Sequence, residues 1–402
     1  MASKQETCDP NDIRQTEEKE RLLARLSRHK GAWEKRHPRH RLLDALYGYL
    51  THHDLVSKDV NRWRTSKKSM SFQFLRTSTK TNLYKFLERT IQYSQKLNTN
   101  DHLLLENKDL QEKIVQNAMQ FYGVEKTELD EHIRAAAKEG RVAEKVSVAQ
   151  ALKHLVRDWS TEGDAERIDA FPCVLNTLLR FSNNSRATPA RVLLPGSGLG
   201  RLGHDIHGLG GFEVTLNEYS VYMNIAYRFL ESLDVEHSAG LHPFIDTWSH
   251  HATTSDMQRR ISFPDHPLAS RSVILVEGDF TTVFKGQEET FDYIITLFFI
   301  DTARNLLAYF DTIHKLLKPG GIWINFGPLL YGSGPFVQLS LDEIVYVVED
   351  WGFEFLDGDG SCGSVTLLDK KVRGKTAAYA FNAKALSINA YKAQSWVLRK
   401  AS

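Results

Sequence analysis

The first part of the chain has the apolar spacing of helices. Apolar residues recur every three or four positions over 83–91 and 110–122, and a shorter segment, 152–159, repeats the pattern. This spacing puts them on one face of a helix. The hydroxyl-rich segment 65–78 lacks it and predicts a linker or a mobile loop. We therefore predict a helical N-terminal region over residues 1–170.

The second part alternates between two patterns. Strand-like apolar runs occur at 191–195, 212–217, 272–277, 291–298 and 321–326. Helical patterns lie between several of them, at 199–208, 219–232 and 302–317. This alternation predicts an α/β fold over 171–402, with a doubly wound parallel sheet between helices. The interval 236–270, rich in histidine and poor in apolar residues, predicts an insertion loop near the sheet edge.

Composition restricts the class of protein. Of 402 residues, 42% are hydrophobic and 25% charged, as in ordinary soluble proteins. The net charge of +1 gives no general attraction to nucleic acid or to anionic membranes, so neither is an expected partner. No apolar run approaches the roughly 18–20 residues of a membrane span, and the polar start has no signal region. The three cysteines show no paired spacing, which predicts a cytoplasmic location, compatible also with the nucleus.

A glycine-rich turn follows the first predicted strand. It contains Gly196, Gly198 and Gly200, and Glu218 ends the next apolar run, where its carboxylate is placed to accept hydrogen bonds from a ribose diol. The segment 198–203 also fits the dinucleotide pattern G-x-G-x-x-G. The turn alone leaves two cofactors open, NAD and S-adenosyl-L-methionine. A purely structural turn, with Glu218 as a helix cap, is a further alternative.

Later segments favour S-adenosyl-L-methionine. Asp279 and Phe280 follow the third strand, where the acid can accept from an adenine amine while the ring packs on the base. Asp301 follows the fourth strand, and a Leu-Lys-Pro-Gly-Gly turn over 317–321 precedes the fifth. This order resembles that of class I S-adenosylmethionine-dependent methyltransferases, which have a Rossmann-like sheet.

More specific motifs resemble the carnosine N-methyltransferase family. They are Val156-Arg-Asp-Trp159, Pro195-Gly-Ser-Gly-Leu-Gly-Arg-Leu202, Asn217-Glu-Tyr-Ser220, Gly278-Asp-Phe280, Phe298-Phe-Ile-Asp-Thr-Ala303 and Lys318-Pro-Gly-Gly-Ile-Trp-Ile-Asn-Phe-Gly-Pro-Leu-Leu-Tyr331. The similarity extends from about residue 145 to 332 and resumes in the last strand. It implies a diverged, non-vertebrate member with a helical N-terminal lid.

The resemblance implies a set of cofactor contacts. These are His154, Arg157, Gly196, Glu218, Asp279 and Phe280, to which the glycine turn adds Gly198. Arg157 is suited to hold the carboxylate of the methionine end bidentately. The family often has Gln where this chain has His154. Arg157 as a surface salt-bridge partner and Asp279 as a turn residue remain alternatives.

The resemblance also implies the reaction, conversion of carnosine to anserine with release of S-adenosylhomocysteine. Asp301 would bind the imidazole N–H, select the tautomer and stabilise the imidazolium formed, much as the acid of a hydrolytic triad does. Phe298 would wall the ring and Tyr391 would contact the substrate. Asp301 as a helix N-cap and Tyr391 as ordinary strand packing are the alternatives.

One departure leaves the acceptor open. Vertebrate-type sequences of the family have a substrate-contacting histidine directly after the Leu-Leu-Tyr run, where this chain has Gly332. The acceptor is then carnosine, another histidine-containing dipeptide, or a histidine in a peptide or protein. A non-catalytic scaffold is disfavoured by Asp301. No metal is expected, since the histidines of 236–270 lack ligand spacing, and the oligomeric state is open, with a homodimer as one option.

Overall fold

All the regular secondary structure of the described chain before the first strand is helical. The computed structural model describes residues 10–29, 33–73, 80–182, 188–269, 272–379 and 381–401. The α-helices of this part are α1 Pro10–Leu26, α2 Pro38–Gln73, α3 Lys80–Ile91, α4 Tyr93–Tyr122, α5 Lys126–Lys138, α6 Val146–Trp159 and α7 Asp164–Phe181. The predicted linker is wrong over 65–73, which continues α2, and its last residues, 74–78, lie outside the described residues.

The later half contains the strands and the remaining helices. The strands are β1 Ala190–Pro195, β2 Phe212–Glu218, β3 Ala239–Leu241, β4 Ile261–Phe263, β5 Val273–Glu277, β6 Phe291–Leu297, β7 Leu317–Gly327, β8 Phe353–Leu356, β9 Ser364–Leu367, β10 Val372–Ala378 and β11 Ala390–Lys400. The helices are α8 Arg201–Gly208, α9 Val221–Leu230, α10 Thr254–Gln258, α11 Phe280–Val283, α12 Leu306–Leu316 and α13 Leu341–Asp350.

The main sheet has the order β5-β2-β1-β6-β7-β11-β10-β9, and β8 also pairs with β11. Strands β5 to β7 of this order are parallel, whereas β11, β10, β9 and β8 pair antiparallel. The chain reverses its direction of winding between β1 and β6. Ligands of doubly wound sheets bind outside the carboxyl ends of the strands at such a point. The predicted Rossmann-like α/β fold is confirmed.

The inner strands are mostly apolar at their centres because both faces of the sheet are covered. Val192 and Leu194 pack into a cluster with the N-terminal helices, α8 and α9. Leu193, which lies between them, points to the opposite face and packs with α11, α12 and α13. The alternation of side chains along β1 therefore joins two cores, and this is why Val192, Leu193 and Leu194 are all apolar.

The interval 236–270 contains local structure of its own. Strands β3 and β4 form an antiparallel pair, Ala239 opposite Phe263, and α10 lies between them. The amide of Asn107 on α4 donates to the carbonyl of His242 at 2.9 Å, and the His242 N–H donates back at 2.7 Å. The interval is thus attached to the N-terminal helices by paired hydrogen bonds.

Two features bear on the environment of the protein. Cys173 of α7 and Cys362, 189 positions apart, form a disulfide. No spacing in the sequence predicted this bond, because packing of α7 on the sheet brings the two cysteines together only in the folded chain. Within the described ranges, none of the helices combines the length and the apolar character needed to cross a bilayer.

A buried ion pair joins the N-terminal helices to the sheet. The guanidinium of Arg228 on α9 donates through Nε to Glu277 at the end of β5, at 3.0 Å, and pairs with Glu231 at 2.9 Å. The Tyr122 hydroxyl of α4 lies 2.9 and 3.0 Å from the two Glu277 oxygens. Arg228 and Glu277 are only 6% and 7% exposed, so neither charge has water as a substitute partner.

We expect Arg228→Ala to lower the free energy of unfolding by about 3–5 kcal/mol, because it leaves Glu277 buried without its cation. Chemical denaturation measures this. The matched control is Arg399→Ala, which removes the exposed Arg399–Glu354 pair (3.6 Å) and should cost about 0–1 kcal/mol. Equal losses in the two variants would contradict the assignment of Arg228 as a buried structural charge.

Candidate functional site

A pocket of about 660 Å³ opens at the carboxyl ends of β1, β2, β5 and β6. This volume is typical of a small-molecule site. Eight residues predicted for the site line it: His154, Arg157, Gly196, Gly198, Glu218, Asp279, Phe280 and Phe298. They come from α6, the turn after β1 and the ends of three further strands. Asp301 and Tyr391 lie beside this pocket rather than in its lining.

The glycine turn has no room for side chains. Gly196 has φ +63° and Gly200 has φ +77°, both in the left-handed region. A Cβ on Gly196 would lie 2.2 Å from the ring of Phe299, and one on Gly200 would lie 2.5 Å from Leu216. Gly198 has φ +58°, and a Cβ built on it would lie 3.6 Å from His154 Nδ1 and 3.9 Å from Arg157 Nη2. The backbone of the turn is therefore exposed to whatever occupies the pocket.

Glu218 ties this turn to the end of β2. Its carboxylate accepts from the Gly198 N–H at 2.9 Å and from the Ser220 N–H at 2.7 Å. Burial raises the pKa of the Glu218 carboxyl above its usual range. A carboxylate offers about four lone-pair sites, so two backbone donors leave capacity for a diol. Glu218 thus holds the turn and faces the pocket at once.

Arg157 is held by the acid that follows it in sequence. Its Nε donates to Asp158 Oδ1 at 2.7 Å, and the two side chains are 16% and 4% exposed. The guanidinium holds the pKa of the Asp158 carboxyl well below its usual range despite burial. The pair is therefore not a surface salt bridge. The Arg157 guanidinium also lies 5.1 Å from the ring centroid of Tyr379, which restricts its plane.

His154 lies on α6, one helical turn before Asp158, the partner of Arg157. Its Nδ1 is 3.4 Å from Asp158 Oδ2, and its ring packs against Phe381 at 5.0 Å. Burial, followed by the nearby Arg157 charge, lowers the pKa of the imidazole. His154 is therefore a neutral polar group next to Gly198, and a cation at this corner of the pocket is supplied by Arg157.

An aromatic slot lies at the other end of the pocket. Phe280 packs edge-on against Phe299 and Tyr309, each at 5.7 Å between centroids, and those two rings stack at 4.6 Å. Asp279 stands at the mouth and caps α11, its Oδ1 accepting from the Thr281 N–H at 2.9 Å. The alternative of a turn residue is thus correct in part. The slot suits a flat ring, and sequence reasoning missed Phe299 and Tyr309.

Asp301 lies in a short 3-10 turn after β6. Its Oδ2 accepts from the Leu330 N–H at 3.1 Å, and the residue is 8% exposed. Burial raises the pKa of this carboxyl. The helix-cap alternative is excluded, because α12 begins only at Leu306 and Asn305 is its N-cap, accepting from Ala308 N–H at 3.3 Å. The Asp301 carboxylate is therefore not occupied by helix capping.

Three aromatic rings form a wall around Phe298, which precedes Asp301 by three residues. The ring of Phe298 lies 5.0 Å from Tyr379 and 6.3 Å from Tyr391, and the two tyrosine rings are 6.0 Å apart. Phe298 has φ +50°, which is an outlier for a bulky residue and is common at functional sites. A Cβ at Gly327 would come within 3.1 Å of the Phe298 backbone. Tyr379 was missed, although its two-residue spacing from Phe381 was a signal.

The loop after Tyr331 is open at the position of the missing histidine. A Cβ built on Gly332 would meet no heavy atom of the described chain within 4 Å. The loop is fastened to the residues after Asp301, since Ser333 Oγ donates to the Thr302 carbonyl at 2.9 Å and the Phe336 N–H donates to Arg304 at 2.7 Å. Space therefore remains at this side of Asp301.

One group among the described residues has metal-ligand character, and it lies outside the pocket. His40, Asp44 and His132 bring one donor atom each within 4.8 Å of one another. Asp44 is already bonded to His132 Nε2 at 2.7 Å and to the Arg141 guanidinium at 2.8 Å. The arginine supplies the positive charge that a metal would bring. We assign no metal role to this group.

Comparison with known proteins identifies the family. The family model described as "Carnosine N-methyltransferase" matches residues 136–402. Proteins named carnosine N-methyltransferase are similar to this chain in Schizosaccharomyces pombe (38% identity, 52% of this chain, 62% of the relative), Rattus norvegicus (39%, 50% and 53%) and Dictyostelium discoideum (36%, 61% and 53%).

The matches therefore span about half to three fifths of the relatives' length. The matched part of this chain includes α6, the glycine turn, Asp301 and the final strand. The predicted resemblance is confirmed: the chain belongs to the carnosine N-methyltransferase family.

Proposed function

We propose that this chain is an S-adenosyl-L-methionine-dependent N-methyltransferase that methylates the imidazole of a histidine-containing dipeptide, as in conversion of carnosine to anserine. The family and the names of the relatives support this reaction. The single observation that supports it most directly is the carboxylate of Asp301. It is buried at a strand end, free of helix capping, beside an aromatic wall and next to the pocket.

S-adenosyl-L-methionine fits the pocket, to which it would bring an electrophilic methyl group on a sulfonium sulfur. In our proposal Arg157 binds the carboxylate of the methionine end and the bare turn at Gly198 allows close approach. Glu218 accepts from the ribose hydroxyls, while Asp279 and Phe280 hold the adenine. These assignments follow from the charges and shapes of the lining residues.

Asp301 and the aromatic wall act on the acceptor. An imidazole with its N–H bonded to Asp301 has the other nitrogen unprotonated and aimed away from the carboxylate. Methylation of that nitrogen turns the ring into an imidazolium, whose charge Asp301 stabilises. Phe298 and Tyr391 would restrict the ring plane.

A second acceptor class is favoured by the space at Gly332. A histidine within a peptide or protein has chain on both sides of the imidazole and needs room beyond the pocket. The exposed loop at Gly332 leaves such room. The same Asp301 chemistry applies to this acceptor, so the two proposals differ only in what lies beyond the ring.

The lid, the cellular location and the partner of the enzyme are also proposals. The N-terminal helices would act as a lid at the adenine end, where Arg41 donates to the Tyr219 carbonyl at 3.2 Å and stacks on its ring at 4.1 Å. We propose a location in the cytoplasm and the nucleus, with a small peptide as partner, consistent with the net charge of +1. In these compartments the Cys173–Cys362 pair would be reduced to thiols, because disulfides are rare in the cytosol.

We expect Asp301→Asn to lower kcat for methyl transfer to carnosine by about 10²–10⁴-fold, because the amide cannot supply the stabilising charge. Transfer of labelled methyl from S-adenosyl-L-methionine measures this. Asp311→Asn is the matched control, since Asp311 lies on α12 in an exposed pair with Lys315 (2.6 Å). That variant should keep wild-type activity.

Undiminished transfer by Asp301→Asn would refute the role of this acid. If the wild type labels no imidazole dipeptide but labels histidine in a protein fraction, the second acceptor class is correct. Absence of label in both, with cofactor bound, would support a non-catalytic scaffold.

We expect Arg157→Gln to weaken binding of S-adenosyl-L-methionine by about 10–150-fold, the loss of one charge-assisted contact. Isothermal titration calorimetry on the full chain measures the Kd. Arg134→Gln on α5, whose Nε donates to the carbonyl of Asp130 in its own helix, is the control and should bind as the wild type does. Unchanged affinity in Arg157→Gln would contradict the carboxylate-binding role.

A further inference from the structure

The C-terminal end of α6, which bears Arg157, is fixed by side chains from elsewhere. The last carbonyls of a helix have no partner within it. Here Arg201 donates to the Asp158 carbonyl at 3.0 Å, and Arg167 donates to the carbonyls of Arg157 and, at 3.0 Å, Ser160. Each carbonyl that these arginines hold is within three residues of the guanidinium proposed to bind the cofactor.

Asp265 connects these two arginines. Its Oδ1 lies 2.7 Å from Arg201 and its Oδ2 lies 3.0 Å from Arg167, and the Asp265 side chain is 8% exposed. Its backbone N–H donates to the Trp159 carbonyl at 2.9 Å, so the residue also caps α6 directly. One buried carboxylate thus organises the cap of the whole helix end.

The same connection reaches the glycine turn. Arg201 is the first residue of α8 and follows Gly200 directly. Trp159 Nε1 donates to the Leu199 carbonyl at 2.8 Å, and the Arg201 guanidinium lies 5.3 Å from the Trp159 ring centroid. Asp265 therefore holds α6 against the turn across which Arg157 faces Gly198.

We propose that Asp265, in the interval 236–270, is a positioning residue for the cofactor site. Through Arg201 and Arg167 it sets the position of Arg157 relative to the glycine turn, and thereby the affinity for the amino-acid end of the cofactor. The inference rests on the proposed function in one respect, that this pocket binds S-adenosyl-L-methionine. It gives the interval a function in the site, although none of its described residues, 236–269, lines the pocket.

If Asp265 is replaced, Arg201 and Arg167 each still pair with another acidic residue. Arg201 also pairs with Asp205 at 2.9 Å, and Arg167 also pairs with Asp164. Neither guanidinium becomes an isolated buried charge when Asp265 is replaced. We therefore expect Asp265→Asn to fold and to lose the connection between the two arginines selectively.

The test compares two ligands by calorimetry on the full chain. S-adenosylhomocysteine has the amino-acid end, whereas 5′-methylthioadenosine keeps the adenine, ribose and sulfur and lacks that end. We expect Asp265→Asn to weaken S-adenosylhomocysteine about tenfold and to leave 5′-methylthioadenosine unchanged. The effect should not add to that of Arg157→Gln, since both act on one contact. Asp256→Asn, in the same interval, is the control and should bind both ligands normally.

The outcomes are distinguishable. Unchanged binding of both ligands by Asp265→Asn, or equal weakening of both, would overturn the inference, the second result indicating general structural loss. A wild-type chain that binds neither ligand would refute the proposed cofactor and the inference with it. A wild type that binds both ligands but methylates no imidazole would refute only the proposed acceptor.

Discussion

The hydrogen bond from the Gly198 N–H to Glu218 is the constraint on which the site depends. It joins the turn after β1 to the end of the neighbouring strand β2, so the ends of these two strands are held in a fixed relative position. The turn takes this path only because Gly196 and Gly200 have no side chains. Arg157, facing the same turn from α6, then meets a backbone whose position is already fixed.

The parallel part of the sheet was predictable because burial on both faces leaves apolar runs, whereas the antiparallel strands β8, β9 and β10 were not predicted. A parallel strand such as β1 is apolar at every central position, and its bounds follow from the polar residues and glycines around it. Helix α2 was less predictable at 65–73, because hydroxyl residues favour turns locally and only the rest of the molecule decides otherwise. The disulfide was not predictable at all, since Cys173 and Cys362 meet only in the folded chain.

The residues of the candidate site also divide into those that the sequence predicts and those that it does not. Residues that follow strands in recognisable motifs, such as Glu218, Asp279 and Asp301, were found from sequence. Tyr379 and Asp265 were not. Tyr379 directly follows β10, whose antiparallel pairing with β11 brings its ring close to Tyr391. Asp265 contacts the end of α6 through its backbone N–H and through two arginines, an arrangement that no sequence motif records. Residues of this second kind can be identified only from the three-dimensional structure.

The left-handed backbone conformation of Phe298 affects which substitutions a mutagenesis screen would select at this position. Such a conformation costs about 1–3 kcal/mol in a bulky residue, and glycine would adopt it freely. A Phe298→Gly chain would relieve this strain but lose the ring that contacts Tyr379 and Tyr391. In the proposed enzyme, relief of backbone strain and retention of the ring therefore favour different residues at this position. Random mutagenesis screened for thermal tolerance alone should enrich substitutions there that a screen for methyl transfer removes.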